Sequence, residues 1–425
     1  MADSKVVVGL DIGTSEIRVA IGEVDPLTGA ISIAGTSSVK SAGLRNGVIV
    51  NIEDAKDKIK EAIAAAEQDA GILVESVITG IGGAQIESQN CKGGVAVNST
   101  GKNNKEISPD DVKRVIENAT AIPVPADREK LHVIPRDYIV DGFDGISDPV
   151  HRIGTRLEAE VHIVTAAKTI IENIRSTISR SGYFLDAVIL KTLAQTLSVC
   201  HQDEMELGSI LIDLGAGTTD VIVLLNGSPI TTASVPVGGN LVTNDIAVVT
   251  GIPVATAEKI KIESGCCWID NITEDNDNEV ILPGVGGRAP EIMYQSQLCQ
   301  IIQARMEQIF AMVKSAIVKN SSEKIKQLSG NIILTGGGAQ MDGVVELAQN
   351  VFKTSSVRLG LPENLGGIEE KYRRPDFATA VGLVLSSKTL LKGRESKRKA
   401  KPFGSKAEKS RSNENPVKKF LKMFF

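Results

Sequence analysis

The sequence predicts an α/β protein made of two duplicated domains, with an inserted α+β subdomain and an amphipathic helix at the C-terminus. Three observations support this: a glycine-rich hairpin pattern occurs twice, the block 85–162 differs from the sequence around it, and the last residues are strongly basic. At 425 residues the chain is long enough for two domains, and its 42% apolar content can fill their cores. Aromatic residues make up only 3%, so aliphatic and small side chains must pack those cores.

Each copy of the hairpin pattern has an apolar strand, an aspartate, a glycine-rich turn and a second apolar strand. The first copy, Val6–Gly22, carries Asp11, and the second, Gly208–Leu225, carries Asp213, 202 residues further on. Glycines in such a turn let backbone N–H groups approach an anion. A single Asp-x-Gly-x-Gly turn also fits an ordinary hairpin, but two copies facing each other would clamp a polyphosphate from both sides.

The turns also contain hydroxyl donors and carboxylates. Asp11 and Asp213 stand at strand ends, where each could hold Mg²⁺ through its water shell, because this ion keeps several waters and takes few carboxylates. The residues predicted to contact phosphate are Gly13, Thr14 and Ser15 in the first turn and Gly215, Gly217, Thr218 and Thr219 in the second.

A third glycine-rich element lies in Asn331–Met341, where an apolar strand runs into a run of glycines. Backbone can pass close under a flat ring only where side chains are missing, so this run could form the floor of a purine site; close packing alone explains it equally well. On an earlier helical segment, Glu258 and Lys261 share a face and could meet ribose hydroxyls or form a solvated pair. The glycines in question are Gly336, Gly337 and Gly338.

In this order and spacing, the three motifs resemble those of the actin, heat-shock-70 and sugar-kinase ATPase superfamily. The resemblance implies an actin-like ATPase fold, with two α/β domains hinged around a cleft for ATP and Mg²⁺. It also implies further contacts near the phosphates, at Gly238, Gly239 and Asn240.

The segments around the first hairpin fit the first half of such a fold. Ile52–Ala70 has apolar residues at helical spacing, and strands are expected before and after it. The block 85–162 instead fits a compact α+β insertion, with strands around Leu131–Ile139 and Arg156–Val164. Its one helix opens at Ser108, with proline at the first helical position and acids in the first turn. We therefore expect a first domain at 1–84 and 163–207, and a second at 208–391 with a helical subdomain at about 245–325.

Longer stretches are similar to the bacterial cell-division FtsA family. They include Ile78–Asn90, Gly145–Thr165, Val235–Ala247 and Gly286–Glu307, and the similarity runs from about residue 6 to 386. His151 departs from the hydrophobic residue expected there, which questions a surface contact rather than the fold. His132 and His162 flank strands and are expected to be structural side chains.

The family resemblance implies an ATP-binding protein that polymerises at the inner face of the cytoplasmic membrane, at the division septum. There it would tether the FtsZ ring and help recruit later divisome proteins through the inserted subdomain. The FtsZ C-terminal peptide would dock on the helical subdomain, where Arg305 and Glu307 sit in the matching helix; both could equally form a solvent-exposed helix face. A small-molecule kinase or a pilus-assembly ATPase of the same superfamily is the alternative.

Hydrolysis is expected to be weak or absent. Related ATPases place a water-orienting residue on the helix before the second hairpin. Here Gln195 is the candidate, but it stands one residue from the matching position, which Ala194 occupies.

The C-terminus predicts membrane attachment. Residues 392–425 carry twelve Lys or Arg and three Glu, a net charge of +9, so the rest of the chain carries −14. An acidic body with one basic appendage does not fit a nucleic-acid-binding fold. We expect a disordered linker at 392–414 and an amphipathic helix at 415–425 that binds anionic inner-membrane lipids or docks back on the protein. The membrane-facing residues would be Val417, Lys418, Lys419, Phe420, Leu421, Lys422, Phe424 and Phe425.

Cysteine usage and the N-terminus bear on the compartment. The five cysteines have no ligand spacing with the four histidines, which favours a reducing compartment and argues against a zinc site. A strand follows Met1–Ser4 at once, so no signal peptide is expected, and no apolar run approaches the roughly 18 residues of a membrane span. We therefore expect a cytosolic protein unless something anchors it.

Overall fold

The computed structural model describes residues 5–97, 106–320 except 285 and 288, and 330–399 except 364 and 366–369. The strands are β1 (Lys5–Ile12), β2 (Glu16–Val24), β3 (Ile31–Lys40), β4 (Leu44–Arg45), β5 (Val48–Ile49), β6 (Ser76–Ile81), β7 (Ile86–Ala96), β8 (Arg128–Val140), β9 (Phe143–Ile146), β10 (Arg156–Ala167), β11 (Phe184–Leu190), β12 (Ser209–Leu214), β13 (Thr219–Leu225), β14 (Ser228–Val235), β15 (Glu279–Leu282), β16 (Glu291–Tyr294), β17 (Asn331–Thr335) and β18 (Val357–Leu359). The helices are α1 (Ile52–Ala70), α2 (Pro109–Ala119), α3 (Lys168–Arg180), α4 (Lys191–Val199), α5 (Gln202–Leu207), α6 (Gly239–Thr250), α7 (Val254–Ser264), α8 (Gln295–Asn320), α9 (Val344–Phe352) and α10 (Ala378–Lys399).

Two five-stranded sheets have the same topology, which confirms the predicted duplication. The first has the order β11-β6-β1-β2-β3 and the second β18-β17-β12-β13-β14. In each sheet a hairpin continues antiparallel into a third strand, and two parallel strands lie on the other side of its first strand. The glycine motifs of the sequence are the turns of the two central hairpins.

Helix α1 covers the first sheet and has the predicted bounds. The side chain of Asn51 accepts hydrogen bonds from the backbone at the helix start, and Gly71 ends the helix in the left-handed conformation with φ of 68°. The buried side chains Ala55, Ile59 and Ile63 repeat at helical spacing and pack in the core of the first domain.

The inserted subdomain forms a separate four-stranded sheet of order β7-β10-β8-β9, and α2 packs against it. The predicted helix start is confirmed: Ser108 and Asp111 cap each other's backbone, and a proline follows the cap. Both predicted strands are present, although β8 and β10 extend beyond the predicted ends.

The segment after α7 is less helical than the sequence analysis expected. Strands β15 and β16 form an antiparallel hairpin between α7 and α8. In β15, exposed residues alternate with the buried Val280 and Leu282, which is the period of a half-buried strand and not of a helix. The predicted helical subdomain therefore consists of α6, α7 and α8 with a small hairpin at its edge.

Helix α10 packs against the first sheet and against α4. A Cβ on Gly9 would lie 2.2 Å from the carbonyl oxygen of Ala380, and one on Gly382 would lie 2.0 Å from that of Ala194, so both contacts require glycine. The backbone of α10 continues to Lys399 and so covers the start of the linker predicted at 392–414; the rest of that linker and the predicted helix at 415–425 lie outside the described residues. Within the described part of the chain, none of the helices is long and apolar enough to span a bilayer.

Candidate functional site

A cleft of about 490 Å³ lies between the two central hairpins, and Asp11 and Asp213 both line it. This volume is in the usual range for a small-molecule pocket, roughly 300–1,000 Å³. The predicted residues that line the cleft are Asp11, Gly13, Thr14, Ser15, Asp213, Gly215, Gly217, Thr218, Thr219, Gly238, Gly239, Glu258, Lys261, Gly336, Gly337 and Gly338. Four other predicted residues, Gln195, Asn240, Arg305 and Glu307, are not among the residues that line it.

The two hairpin turns contain an equivalent backbone hydrogen bond. The N–H of Gly13 donates to the carbonyl of Glu16 at 3.1 Å, and the N–H of Gly215 donates to that of Thr218 at 3.0 Å. The turns come from two copies of one motif and open into one cleft. They therefore present similar backbone groups to a ligand that binds between them.

Glycines allow the segments around the cleft to approach each other. A Cβ on Gly217 would lie 2.9 Å from Thr14 Oγ1, which itself accepts a hydrogen bond from the N–H of Gly47 at 2.9 Å. A Cβ on Gly238 would lie 2.4 Å from the carbonyl oxygen of Gly215. Asn240 contributes through its backbone, because its N–H donates to the carbonyl of Ala216 at 2.8 Å. Side chains at these glycines would therefore force the turns apart.

A third carboxylate and a lysine join the two predicted aspartates. Lys191 Nζ lies 2.7 Å from Asp11 Oδ1 and donates to the carbonyl of Ile12 at 2.9 Å. Asp220 accepts hydrogen bonds from the N–H of Gly83 at 3.0 Å and from Thr218 Oγ1 at 3.2 Å. Sequence reasoning missed Lys191 and Asp220. The Thr-Thr-Asp run of the second turn could have indicated Asp220. Lys191 instead follows β11, in another part of the chain, and no motif near it in the sequence marks it as a site residue.

The chemistry of Asp213 depends on its surroundings. Burial, followed by the negative charge of Asp220, raises the pKa of Asp213 to about 7, against the opposing effects of Gln195 and Lys191. The carboxylate therefore holds a proton part of the time at neutral pH. A nearby divalent cation would favour its ionised form, so Asp11 and Asp213 at the strand ends fit a Mg²⁺ ion held through water.

Gln195, the candidate catalytic residue, lies behind Asp213. Its Nε2 donates to Asp213 Oδ2 at 2.7 Å and to Thr379 Oγ1 at 2.8 Å, and the residue is only 1% exposed. Its amide is thus used inside the protein, next to the carboxylate and not in the cleft. In the sequence, Gln195 stands one residue from the position that orients water in related ATPases, and its place behind Asp213 agrees with that offset.

Glu258 and Lys261 lie on one face of α7, toward the cleft. Lys261 Nζ lies 2.6 Å from Glu258 Oε2 and 2.9 Å from Thr243 Oγ1, which in turn donates to Glu258. The lysine also donates to the carbonyl of Gly239 at 3.3 Å. The pair is therefore fixed against α6 and is not a freely solvated pair, with its polar groups at the cleft wall.

The three glycines after β17 differ in their surroundings. Gly336 has φ of 84°, and a Cβ there would lie 2.1 Å from Asp213 Oδ1; a Cβ on Gly338 would lie 2.9 Å from Leu214 Cβ. A Cβ on Gly337 would meet no atom within 4 Å. Packing therefore requires two of these glycines, and Gly337 alone faces open space in the cleft.

Arg305 and Glu307 lie on α8, away from the cleft. Arg305 Nη2 donates to Asp245 Oδ1 of α6 at 2.9 Å, and this hydrogen bond raises the pKa of the guanidinium. Glu307 Oε1 accepts from Gln303 Nε2 at 2.9 Å. Both side chains are partly exposed, and because positions two residues apart on a helix point to different sides, they do not form one surface.

Two histidines join the inserted subdomain to its neighbours. His132 Nε2 accepts from the N–H of Leu190 at 3.0 Å, and burial lowers its pKa to about 4. His162 Nε2 lies 3.3 Å from Thr232 Oγ1 of β14, and burial, together with the charge of Arg136, lowers its pKa to about 3. Both are neutral, buried side chains with structural contacts. His151 is instead 81% exposed, with Nδ1 2.6 Å from Glu106 Oε1.

Solved structures with this architecture are actin-like. The fold resembles that of the PilM–PilN type IV pilus biogenesis complex, with a TM-score of 0.63 and 15% identity over 89% of this chain and 97% of that one. It also resembles MreB5 of Spiroplasma citri bound to ADP, with a TM-score of 0.55 and 13% identity over 92% of this chain and 98% of that one. At these identities the likeness establishes the actin-like fold alone.

Sequence comparisons are more specific. Residues 210–382 match the family described as cell division protein FtsA, and residues 83–165 match the SHS2 domain inserted in FtsA. The chain is 41% identical to the cell division protein FtsA of Borreliella burgdorferi, over 89% of this chain and 90% of that protein. It is 36% identical to FtsA of Escherichia coli strain K12, over 90% of each. The chain therefore belongs to the FtsA family of bacterial cell division proteins.

Proposed function

We propose that this protein binds ATP and Mg²⁺ between its two α/β domains, assembles into an actin-like polymer and connects the FtsZ ring to the cytoplasmic face of the membrane. One observation carries the nucleotide part of the proposal: two copies of one glycine turn open into a single cleft that contains Asp11 and Asp213. Backbone N–H groups of such turns suit the phosphates of a nucleotide.

The residues of the cleft have distinct roles in this proposal. Bound Mg²⁺ would neutralise phosphate charge, and Asp11 and Asp213 would hold it through its water ligands. Thr14, Ser15, Thr218 and Thr219 would donate hydroxyl hydrogen bonds to phosphate oxygens. The ribose would lie at Glu258 and Lys261, and the purine would lie over Gly337.

ATP acts mainly as a conformational ligand in this proposal, and its hydrolysis is slow or absent. Gln195 would have to orient the attacking water, yet its amide is held by Asp213 and Thr379 inside the protein. Bound nucleotide would join the two domains across the cleft and favour the conformation that polymerises.

Titration with ATP and Mg²⁺ by calorimetry tests the nucleotide part. Gly217→Val would place a side chain between the second turn and Thr14, so we expect at least a tenfold loss of affinity, roughly the effect of 1.4 kcal/mol. Ser32→Val is the matched control, because that side chain is exposed on β3 and does not line the cleft. Unchanged affinity in Gly217→Val would contradict this location of the site.

The other partners are a peptide and a membrane. The C-terminal peptide of FtsZ would dock on α8 near Arg305 and Glu307, and the inserted subdomain would contact later divisome proteins. The tail from Val417 to Phe425 would lie in the membrane interface, with each lysine adding about 1 kcal/mol near an anionic surface. A single tail binds weakly, so a polymer that carries many tails would hold the membrane by avidity.

Cosedimentation with FtsZ filaments and with anionic vesicles tests these partners separately. Removal of Val417 to Phe425 should abolish vesicle binding and leave FtsZ binding intact. Arg305→Glu should have the opposite effect, with Lys314→Glu on the same helix as the matched control. If the chain without its tail still bound vesicles, the membrane would have to be held elsewhere.

A further inference from the structure

We propose that Lys191 is an internal cation of the phosphate site, which competes with Mg²⁺ for Asp11 and keeps nucleotide binding only weakly dependent on the metal. This inference rests on the proposed nucleotide site and adds a residue that the sequence motifs do not contain. Lys191 is the first residue of α4, and its ammonium group reaches the end of β1.

The stem of Lys191 is fixed in one position. A Cβ on Gly80 would lie 2.8 Å from its Cγ, and a Cβ on Gly82 would lie 3.5 Å from its Cδ. Because these two glycines at the end of β6 have no side chains, they form a groove in which the aliphatic part of Lys191 lies. The side chain is 14% exposed and lines the cleft.

Lys191 lies among carboxylates. Its Nζ forms an ion pair with Asp11 at 2.7 Å, and Asp213 and Asp220 line the same cleft. A cation in this position offsets part of the charge that would repel a polyphosphate.

The other cations that line the described part of the cleft are paired elsewhere. Arg18 and Arg374 both contact Asp376, and Lys261 contacts Glu258. Lys191 is thus the cation that faces the strand-end aspartates where the phosphates are proposed to lie. Its partner Asp11 is also one of the two proposed Mg²⁺ residues, and the same Oδ1 atom cannot serve the lysine and a metal-bound water equally well.

Competition of this kind has a specific consequence. Bound Mg²⁺ would draw Asp11 to its water ligands and would itself supply positive charge to the phosphates, so the ammonium group of Lys191 would no longer be needed there. When Mg²⁺ is absent, Lys191 still supplies one positive charge. Loss of the ammonium group should weaken binding without Mg²⁺ by about tenfold or more, the size of one charge-assisted hydrogen bond. With Mg²⁺, the freed Asp11 should leave the affinity equal or higher.

The experiment compares the affinity for the ATP analogue AMPPNP in excess Mg²⁺ with that in EDTA, by calorimetry on the full chain. We expect the wild-type affinity to fall by less than about tenfold in EDTA and that of Lys191→Met by more than about a hundredfold. Lys191→Arg should behave as wild type. Lys259→Met is the matched control, since that lysine is exposed on α7 and pairs with Glu263.

The outcomes separate this inference from the proposed function. If wild-type protein failed to bind AMPPNP even with Mg²⁺, both the proposed nucleotide site and the role of Lys191 would be contradicted. If wild type and Lys191→Met bound with Mg²⁺ and lost the same factor in EDTA, only the role of Lys191 would be contradicted. If Lys191→Met shows no folded state in a thermal unfolding assay, the wild-type protein alone provides the test. A fall in its AMPPNP affinity of more than about a hundredfold in EDTA would exclude an effective internal cation.

Discussion

Gln195 donates its side-chain amide to Asp213 Oδ2 at 2.7 Å, from the protein side of the strand end. The carboxylate therefore has a cleft on one side and a fixed hydrogen-bond donor on the other. A residue that the sequence offers as a catalytic group is instead a support for the proposed metal-binding carboxylate. The buried pair connects α4 to β12, one element from each half of the duplicated fold.

Replacement of Gln195 should cost stability. Gln195→Leu has a similar volume but leaves the buried Asp213 without this donor, so we expect the free energy of unfolding to fall by about 1–3 kcal/mol. Urea unfolding at pH 8, where Asp213 is mostly ionised, measures the effect. Gln300→Leu at an exposed position of α8 is the matched control and should change stability by less than about 0.5 kcal/mol. Equal effects of the two variants would contradict a supporting role for Gln195.

The raised pKa of Asp213 predicts a pH dependence of stability. Its pKa is about 7 in the folded protein against an ordinary value of 3.8, so the folded state binds more protons between these two pH values. Stability from this group is therefore present at low pH and is lost as pH rises from about 4 to about 7. In Asp213→Asn this loss is absent. As pH rises through this range, the free energy of unfolding of the variant should therefore increase relative to that of wild type by a few kcal/mol, roughly 1.4 kcal/mol for each pH unit.

The difference between the two proteins isolates Asp213. His132 and His162, whose pKa values are lowered to about 4 and about 3, lose stability as pH falls and so act in the opposite sense. Both histidines are present in wild type and variant, and their contribution cancels in the difference. Urea unfolding at a series of pH values provides the curve; a difference that is constant with pH would contradict the raised pKa.

Much of the fold follows from local sequence signals. The two hairpins, α1 and the start of α2 each depend on residues close together in the chain, such as the Ser108 cap and the apolar spacing of α1. Lys191 and Asp376 reach the cleft from distant segments, and no local pattern marks them. The hairpin of β15 and β16 was missed because its strands have four residues each, too few for a clear period.

The glycines after β17 offer a test of the purine floor. Gly337→Ala adds a methyl group to open space, so the protein should keep its thermal stability and lose nucleotide affinity. Gly338→Ala would instead clash with Leu214 and should lower the free energy of unfolding by about 1–3 kcal/mol. Calorimetric ATP titration and thermal unfolding of both variants provide the comparison. If Gly337→Ala bound ATP as wild type does, the purine would lie elsewhere in the cleft.

Asp376 should stabilise the junction between the first sheet and α10. Its carboxylate is 1% exposed, lies 2.9 Å from Arg18 of β2 and 2.7 Å from Arg374, and both guanidinium groups stack on the Phe377 ring at 5.7 Å. In Asp376→Ala, Arg374 loses its buried partner and Arg18 keeps only its contact with Glu16, and removing one member of a buried ion pair typically costs about 3–5 kcal/mol. Since Arg374 is 46% exposed and can turn to solvent, we expect the lower end of this range, about 3 kcal/mol, in urea unfolding.

Arg373→Ala is the control, because its partner Glu370 is 89% exposed and lies 3.5 Å away, so its loss should cost less than about 1 kcal/mol. A similar cost for both variants would mean that Asp376 is no more than a surface charge.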